Sequence, residues 1–254
     1  LVFLMIRFIP GDAVQIMLGA NVEITPERLA ALYKKIGLDK SLLEQYASWI
    51  GGVFRGDLGT SLWTGAPVGE EIVARLGVTF EVLFLSLGAA VAIAIPAGAM
   101  MAYARRSVSD YIVRVVTIVG ITVPSFWLGI VLILVLYKLA PGFASIGYVP
   151  FADDPLTNLS RMILPTTALA LPILASLSRI MRSAMLDALG QDYVRTARAK
   201  GVSEGTVIFR HALRNALIPF VTAVGITAGH LFGGAIVVEQ VFALPGLGRL
   251  VIGA

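Results

Sequence analysis

The chain has 254 residues, of which 57% are hydrophobic and only 14% charged. A soluble domain carries about 25% charged residues, so too few polar side chains are present to coat a globule. The mean hydropathy of +0.85 excludes disorder, and the absence of Cys excludes a disulfide framework, a thiol nucleophile and a Cys-based zinc site. Two His make a His-rich metal site unlikely to exist by count alone, and the net charge of +4 fits basic membrane-flanking loops rather than a nucleic-acid surface.

In chain order, the first apolar residues, Leu1 to Ile6, meet Arg7 with no charge before them. A signal peptide would place its charges first, so residues 1–9 read as the end of a truncated membrane helix. Residues 10–76 form the one soluble-looking segment. Thr25-Pro26-Glu27 is a helix start, with Leu29, Leu32 and Ile36 following at helical spacing and Gly37 as the stop. A second short helix is expected over about Lys40 to Ile50, broken by Gly51-Gly52, before the turn residues Gly56-Asp57-Leu58-Gly59.

Four stretches then lack any Asp, Glu, Lys or Arg: 82–104, 115–137, 162–178 and 215–238. A helix needs about 20 apolar residues to cross a bilayer. The expected spans are about 80–104, 112–138, 162–182 and 214–238, within a membrane domain over 77–254 that ends before a final span. The fold class is therefore all-α, a polytopic membrane protein with one partial and four complete transmembrane helices. Pro96, Pro124 and Pro172 lie inside spans and predict kinks. Small residues recur every four positions, as Ser86, Ala90, Ala94, Gly98 and Ala102 in the first full span and as Gly225, Gly229 and Gly233 in the last. Such stripes let backbones approach closely, within the subunit or against a partner subunit.

The loops between the first and second, and between the third and fourth, spans hold ten Lys/Arg in 46 residues. The opposite face holds nine Lys/Arg and twelve Asp/Glu in 112 residues. The positive-inside rule puts the first set in the cytoplasm. No phosphate-binding G-x-x-x-x-G-K-[ST] and no H-E-x-x-H occurs, and no carboxylate lies within the four charge-free stretches. An ion-coupled carrier usually needs such a carboxylate as a relay, which disfavours that class. His230, the one ionisable group there, reads first as a packing residue. A membrane scaffold without transport is a third class. The energy for transport must then come from outside the chain, through the basic loop 183–213.

That loop is too apolar for a solvated linker. Met185, Leu186 and Leu189 recur at helical spacing, followed by Tyr193, Val194 and Ala197. Gly201 ends this piece in a left-handed turn, and Ser203 caps a second piece carrying Val207, Ile208 and Ala212. An interfacial helix on lipid and a helix docked in a partner groove both fit this pattern.

The run Gly190-Gln191-Asp192-Tyr193-Val194-Arg195-Thr196-Ala197-Arg198-Ala199-Lys200-Gly201 resembles the cytoplasmic coupling loop of ABC importer permeases, of the dipeptide/oligopeptide/nickel group. Of the general pattern (Glu-Ala-Ala, three residues, Gly, nine residues, Ile-x-Leu-Pro), Ala197, Gly201 and Leu213 match. Arg195 and Arg214 depart from it in the way typical of the peptide/nickel group. Ile9-Pro10-Gly11-Asp12, Gly56-Asp57-Leu58-Gly59-Thr60-Ser61 followed by Pro67-Val68, Val123-Pro124-Ser125-Phe126-Trp127-Leu128-Gly129, and Val238-Glu239 with Val241-Phe242 and Pro245-Gly246-Leu247-Gly248 resemble further family stretches in order.

The resemblance implies a type I ABC importer permease fold in a prokaryotic inner membrane, with no catalytic residue, cofactor or metal. It implies four kinds of partner: membrane lipid, a second homologous permease, two cytoplasmic ATP-binding subunits and an external solute-binding protein. Coupling to the ATPase is expected at Tyr193, Arg195, Thr196, Ala197, Lys200 and Gly201. Ala197 is expected to face that partner closely. Peptides are the expected solute, with nickel, a glycan or glutathione as alternatives on the same architecture. No spacing rule marks the residues of the substrate path.

Overall fold

The computed structural model describes residues 3, 30, 33–34, 37–61, 64–105, 107–139 and 147–253. Two compact units divide it, residues 1–74 and residues 75–253. The helix start expected at Thr25-Pro26-Glu27 and the motif at Ile9 to Asp12 lie outside the described residues.

In the first unit, helix α1 spans Leu42–Phe54. Ser41 and Glu44 close its start reciprocally: Ser41 Oγ accepts from the Glu44 amide, and Glu44 Oε2 accepts from the Ser41 amide at 3.0 Å. The expected break at Gly51-Gly52 does not occur. The Gly52 carbonyl accepts from the amides of both Arg55 and Asp57, at 2.9 Å each, so the helix closes one turn later. Gly56, at φ +79°, supplies the left-handed residue. The Tyr46 and Trp49 rings pack on Phe3, with centroids 5.4 and 5.8 Å away.

Helix α2 spans Val68–Tyr103, 36 residues and so about 54 Å of helix. It starts well before the expected span at 80 and takes in the end of the segment expected to be external. Glu70 and Glu71 in its first turn favour that early start, because acidic groups stabilise a helix N-terminus.

Within the second unit, the span expected over 112–138 with a kink at Pro124 is broken outright into two helices, α3 (Val108–Thr122) and α4 (Ser125–Leu139), meeting at 105°. The cause is local. Pro124 pushes the preceding residue out of the helical region, and Val123 is extended at φ −82°, ψ 121°. Pro96, Pro165, Pro172 and Pro219 sit inside helices that continue past them.

Helix α5 (Pro155–Leu189) is capped by Asp154, whose Oδ1 accepts from the Thr157 amide at 3.1 Å. It packs against α3, α4 and the later helix α7 (Leu213–Val241). Between α5 and α7 lie the short helix α6 (Asp192–Ala199) and a lead-in over Glu204–Ala212 whose second part, Val207–Ala212, is π-helical. The chain closes on α8 (Leu247–Gly253). Among the described residues, three helical stretches are long and apolar enough to cross a membrane, or four if the bent α3–α4 pair counts as one.

The small-residue stripe of α2 is spent inside the chain. Ser86, Ala90, Ala94, Gly98 and Ala102 are all buried. A Cβ on Gly98 would lie 2.5 Å from Met181 Cβ and 2.9 Å from the Ser178 carbonyl oxygen of α5. The stripe of α7 differs: Gly225, Gly229 and Gly233 are exposed, with open space around each.

Two core clusters join these helices. One gathers Ala94, Leu177, Met181, Met185, Ala212 and Phe220, the other Val82, Met162, Leu169, Leu231, Val238 and Phe242. Tyr148 donates to Glu81 Oε2 at 2.7 Å, and burial together with that carboxylate pushes the phenol up to about 12.

Candidate functional site

The element expected to receive energy is smaller than the loop 183–213. Met185, Leu186 and Leu189 belong to α5, which runs unbroken to Leu189, because their apolar period continues that of the span. The second amphipathic piece is no separate helix either. From Glu204 the chain stays helical to Val241. What stands between the two long helices is α6 with its flanking turns, over 190–203.

Helix α6 starts at Asp192, an acid in the first turn, and Thr196 Oγ1 donates back to the Asp192 carbonyl at 2.9 Å. Val194 and Ala197 form its inner face. They pack on Val207, with Leu189 and Val202 beside them. Ala197 is only 8% exposed. Its methyl group fills a small core of its own chain, three residues after Val194 on the same helix face.

The outer face carries the other expected residues. Arg195 is 76% exposed in its side chain and pairs loosely with Asp192 at 3.4 Å. Such an exposed pair contributes little to stability. Lys200 is exposed. Tyr193 is partly exposed, and its hydroxyl accepts from Asn215 Nδ2 at 3.0 Å, tying α6 to the first turn of α7. Gly201 has φ +76° with open space around it, as the left-handed stop required. Arg198 holds Glu204 with two bonds, Nη2 to Oε1 at 2.6 Å and Nε to Oε2 at 3.1 Å, across that turn. These bonds raise the affinity of the Arg198 guanidinium for its proton. The structure thus gathers Tyr193, Arg195, Thr196 and Lys200 around a clamped turn, and withholds Ala197.

Two carboxylates counted in the sequence as loop charges are buried in the structure. Asp110, on the first turn of α3, is 2% exposed. It accepts from Arg182 Nε at 2.9 Å and Nη2 at 3.1 Å, and from Arg114 Nη2 at 3.2 Å. The Asp110–Arg114 spacing of four residues is a visible helix-pair signal, but Arg182 is 72 residues away. Glu239 is fully buried near the end of α7. Its Oε1 accepts from Thr79 Oγ1 at 2.7 Å, and its Oε2 accepts from the amides of Gly248 and Arg249 at 2.7 and 3.3 Å. Thr79 Oγ1 in turn accepts from the Leu247 amide at 2.8 Å. The carboxylate therefore caps α8 and ties it to α2. Its place one residue past the charge-free stretch 215–238 hid it, since a charge there reads as the edge of a span.

A cavity of about 300 Å3 opens at the α3–α4 break. Val123, Ser125, Pro172, Thr227, His230 and Gly234 line it. Among the described residues, no group of His, Cys, Asp and Glu could hold a metal ion.

Long apolar helices, with a clamped polar turn between two of them, define a polytopic membrane protein. Residues 94–254 match the family described as binding-protein-dependent transport system inner membrane component, and residues 1–83 match the N-terminal model of such membrane components. The chain belongs to this family of inner-membrane transport components. Relatives include the dipeptide transport system permease protein DppB of Escherichia coli (strain K12), 40% identical over all of this chain and 81% of its own length. The oligopeptide transport system permease protein AppB of Bacillus subtilis (strain 168) is 39% identical over 98% of this chain and 79% of its own length. The chain is thus a permease component of an ABC importer in the bacterial inner membrane, and works with other components of such a system, among them a binding protein and an ATPase.

Proposed function

We propose that the chain is one of two homologous permease subunits that carry peptides across the inner membrane, and that α6 with the Gly201 turn docks on a cytoplasmic ATP-binding subunit. The peptide assignment rests on the dipeptide and oligopeptide systems of its relatives. The docking assignment rests on one observation: α6 is anchored inward by Val194 and Ala197 while its outward residues Arg195 and Lys200 engage little of the chain itself. A lever needs that combination. A force applied to the outer face passes through the small core into α5 and α7, the two helices it joins.

The exposed α7 stripe of Gly225, Gly229 and Gly233 supports contact with the second permease, because exposed small residues admit a close helix and the α2 stripe is already filled. The cavity at the α3–α4 break lies beside that face, with His230 and Thr227 offering hydrogen bonds to a passing peptide backbone.

Charge reversal tests the docking. Arg195→Glu with Lys200→Glu should abolish uptake and release the ATPase during purification, with normal amounts of permease in the membrane, because neither side chain is buried. Retained ATPase and normal uptake would leave α6 as a helix lying on lipid.

A further inference from the structure

Where α5 approaches α6, the same end of the helix bundle holds a cavity that the coupling element does not use. Its volume is about 410 Å3, and Arg105, Asp110, Tyr111, Arg114 and Arg182 are among its lining residues. α2 ends at Tyr103 just ahead of Arg105, α3 starts at Val108 behind its cap Ser107, and Arg182 comes from the last two turns of α5.

The charges in this cavity do not balance. Three guanidinium groups face one carboxylate, a formal surplus of two positive charges. Arg182 turns its Nε–Nη2 edge to Asp110, and Arg114 gives one Nη2 bond. Among the described residues, the remaining N–H groups of both find no acceptor. Arg105 is exposed and makes no ion pair among the described residues. Guanidinium groups converging on one opening match the oxygens of a phosphate, which accept forked pairs of N–H donors.

The position of the cavity narrows the source of that phosphate. Arg105 directly follows the charge-free stretch 82–104, Arg114 directly precedes the stretch 115–137, and Arg182 lies four residues beyond the stretch 162–178. All three mark the edge of the hydrocarbon layer, where headgroups lie. From the cavity, Tyr111, Val115 and Ile118 run down α3 at spacings of four and three residues, all exposed. At that spacing they share one face and form an apolar strip leading into the bilayer.

We propose that this cavity binds the phosphate of an anionic glycerophospholipid, with its acyl chains against Tyr111, Val115 and Ile118. Basic pockets between spans are suited to such headgroups, and the apolar strip favours a lipid over a free anion. The bound lipid would fasten α2, α3 and α5 together at the end from which α6 projects.

Native mass spectrometry of the full permease in its assembled transporter tests this. The complex is incubated with phosphatidylglycerol or with zwitterionic phosphatidylcholine, and lipid retained on the released permease is counted. Arg105→Gln, which breaks no ion pair, should lower phosphatidylglycerol retention about fivefold, and Arg105→Gln with Arg114→Gln about thirty-fold. Arg105→Gln keeps both the Arg182–Asp110 and Arg114–Asp110 pairs, so its unfolding midpoint without lipid should match that of the unaltered protein. Phosphatidylglycerol should raise the unaltered protein's midpoint more than that of Arg105→Gln. If the double variant fails to fold, the single variant decides. Equal phosphatidylglycerol retention by the unaltered protein and Arg105→Gln would overturn the proposal. So would full displacement of phosphatidylglycerol by inorganic phosphate, which would make this a free-anion site, or retention of phosphatidylcholine as strong as that of phosphatidylglycerol.

Discussion

Gly201 and Ala197 sit four residues apart in one motif, yet substitutions at them should act in different ways. Gly201 has room for a side chain but a backbone at φ +76°. A β-branched residue there costs on the order of 1–2 kcal/mol or more, all of it backbone strain. Gly201→Val should therefore weaken uptake strongly, while Gly201→Asn, which tolerates this conformation, should retain most of it in the same assay. Ala197 has an ordinary helical backbone and no room. Ala197→Glu forces a carboxylate into the core with Val194 and Val207, costing several kcal/mol if fully buried. Its uptake loss should come with protease sensitivity of 190–206, which Arg195→Glu should not produce. Glu239 gives a third case. Glu239→Ala leaves Thr79 and the Gly248 and Arg249 amides without their acceptor, at about 1–3 kcal/mol for each group left unpaired. The unfolding midpoint of the purified permease should fall markedly, and more than for Glu81→Ala, whose Tyr148 contact is only partly buried.

At the scale of whole helices, close approach and breakage have separate causes. α2 and α5 touch because Gly98 accepts the Met181 side chain. Gly98→Ala should cost about 1–3 kcal/mol through overpacking, and Met181→Ala about 2–5 kcal/mol through a cavity. Met181→Ala should not relieve the Gly98→Ala loss, since the residue 181 Cβ and the Ser178 carbonyl oxygen stay against the new methyl group. Recovered stability of the double variant in denaturation measurements would mean that the Met181 side chain beyond Cβ sets the clash. The α3–α4 break traces to Pro124, through the extended Val123 before it. Pro96, Pro165, Pro172 and Pro219 keep helical neighbours, so proline by itself marks a weak point and the surrounding packing decides whether the helix breaks.

For the whole molecule, the Lys/Arg bias of the sequence gathers basic residues in the loops 105–114 and 179–214 and acidic residues in 10–81. That asymmetry predicts opposite membrane sides for residues 41 and 203, both exposed serines in a chain without Cys. In intact cells, a membrane-impermeant thiol reagent should label Ser41→Cys and spare Ser203→Cys; the reverse labelling would invert the topology.

The membrane class, the helix-rich fold, the family and the left-handed turn at Gly201 were all legible in the sequence. Each depends on runs of neighbouring residues: charge-free stretches, Lys/Arg bias, motif order, and a glycine where only glycine is cheap. Three features waited for the tertiary structure. The apolar face of α6 could have met lipid, an ATPase or its own chain, and an amphipathic period carries no information about which; Val207 decided it. Asp110 meets Arg182 across 72 residues, and Glu239 meets Thr79 across 160, so no local pattern announces either pair. Helix α1 outlasted its glycines and the second expected span broke at its proline for the same reason. A residue's propensity sets a cost of about one to a few kcal/mol, and the hydrogen bonds and packing that surround it decide whether that cost is met.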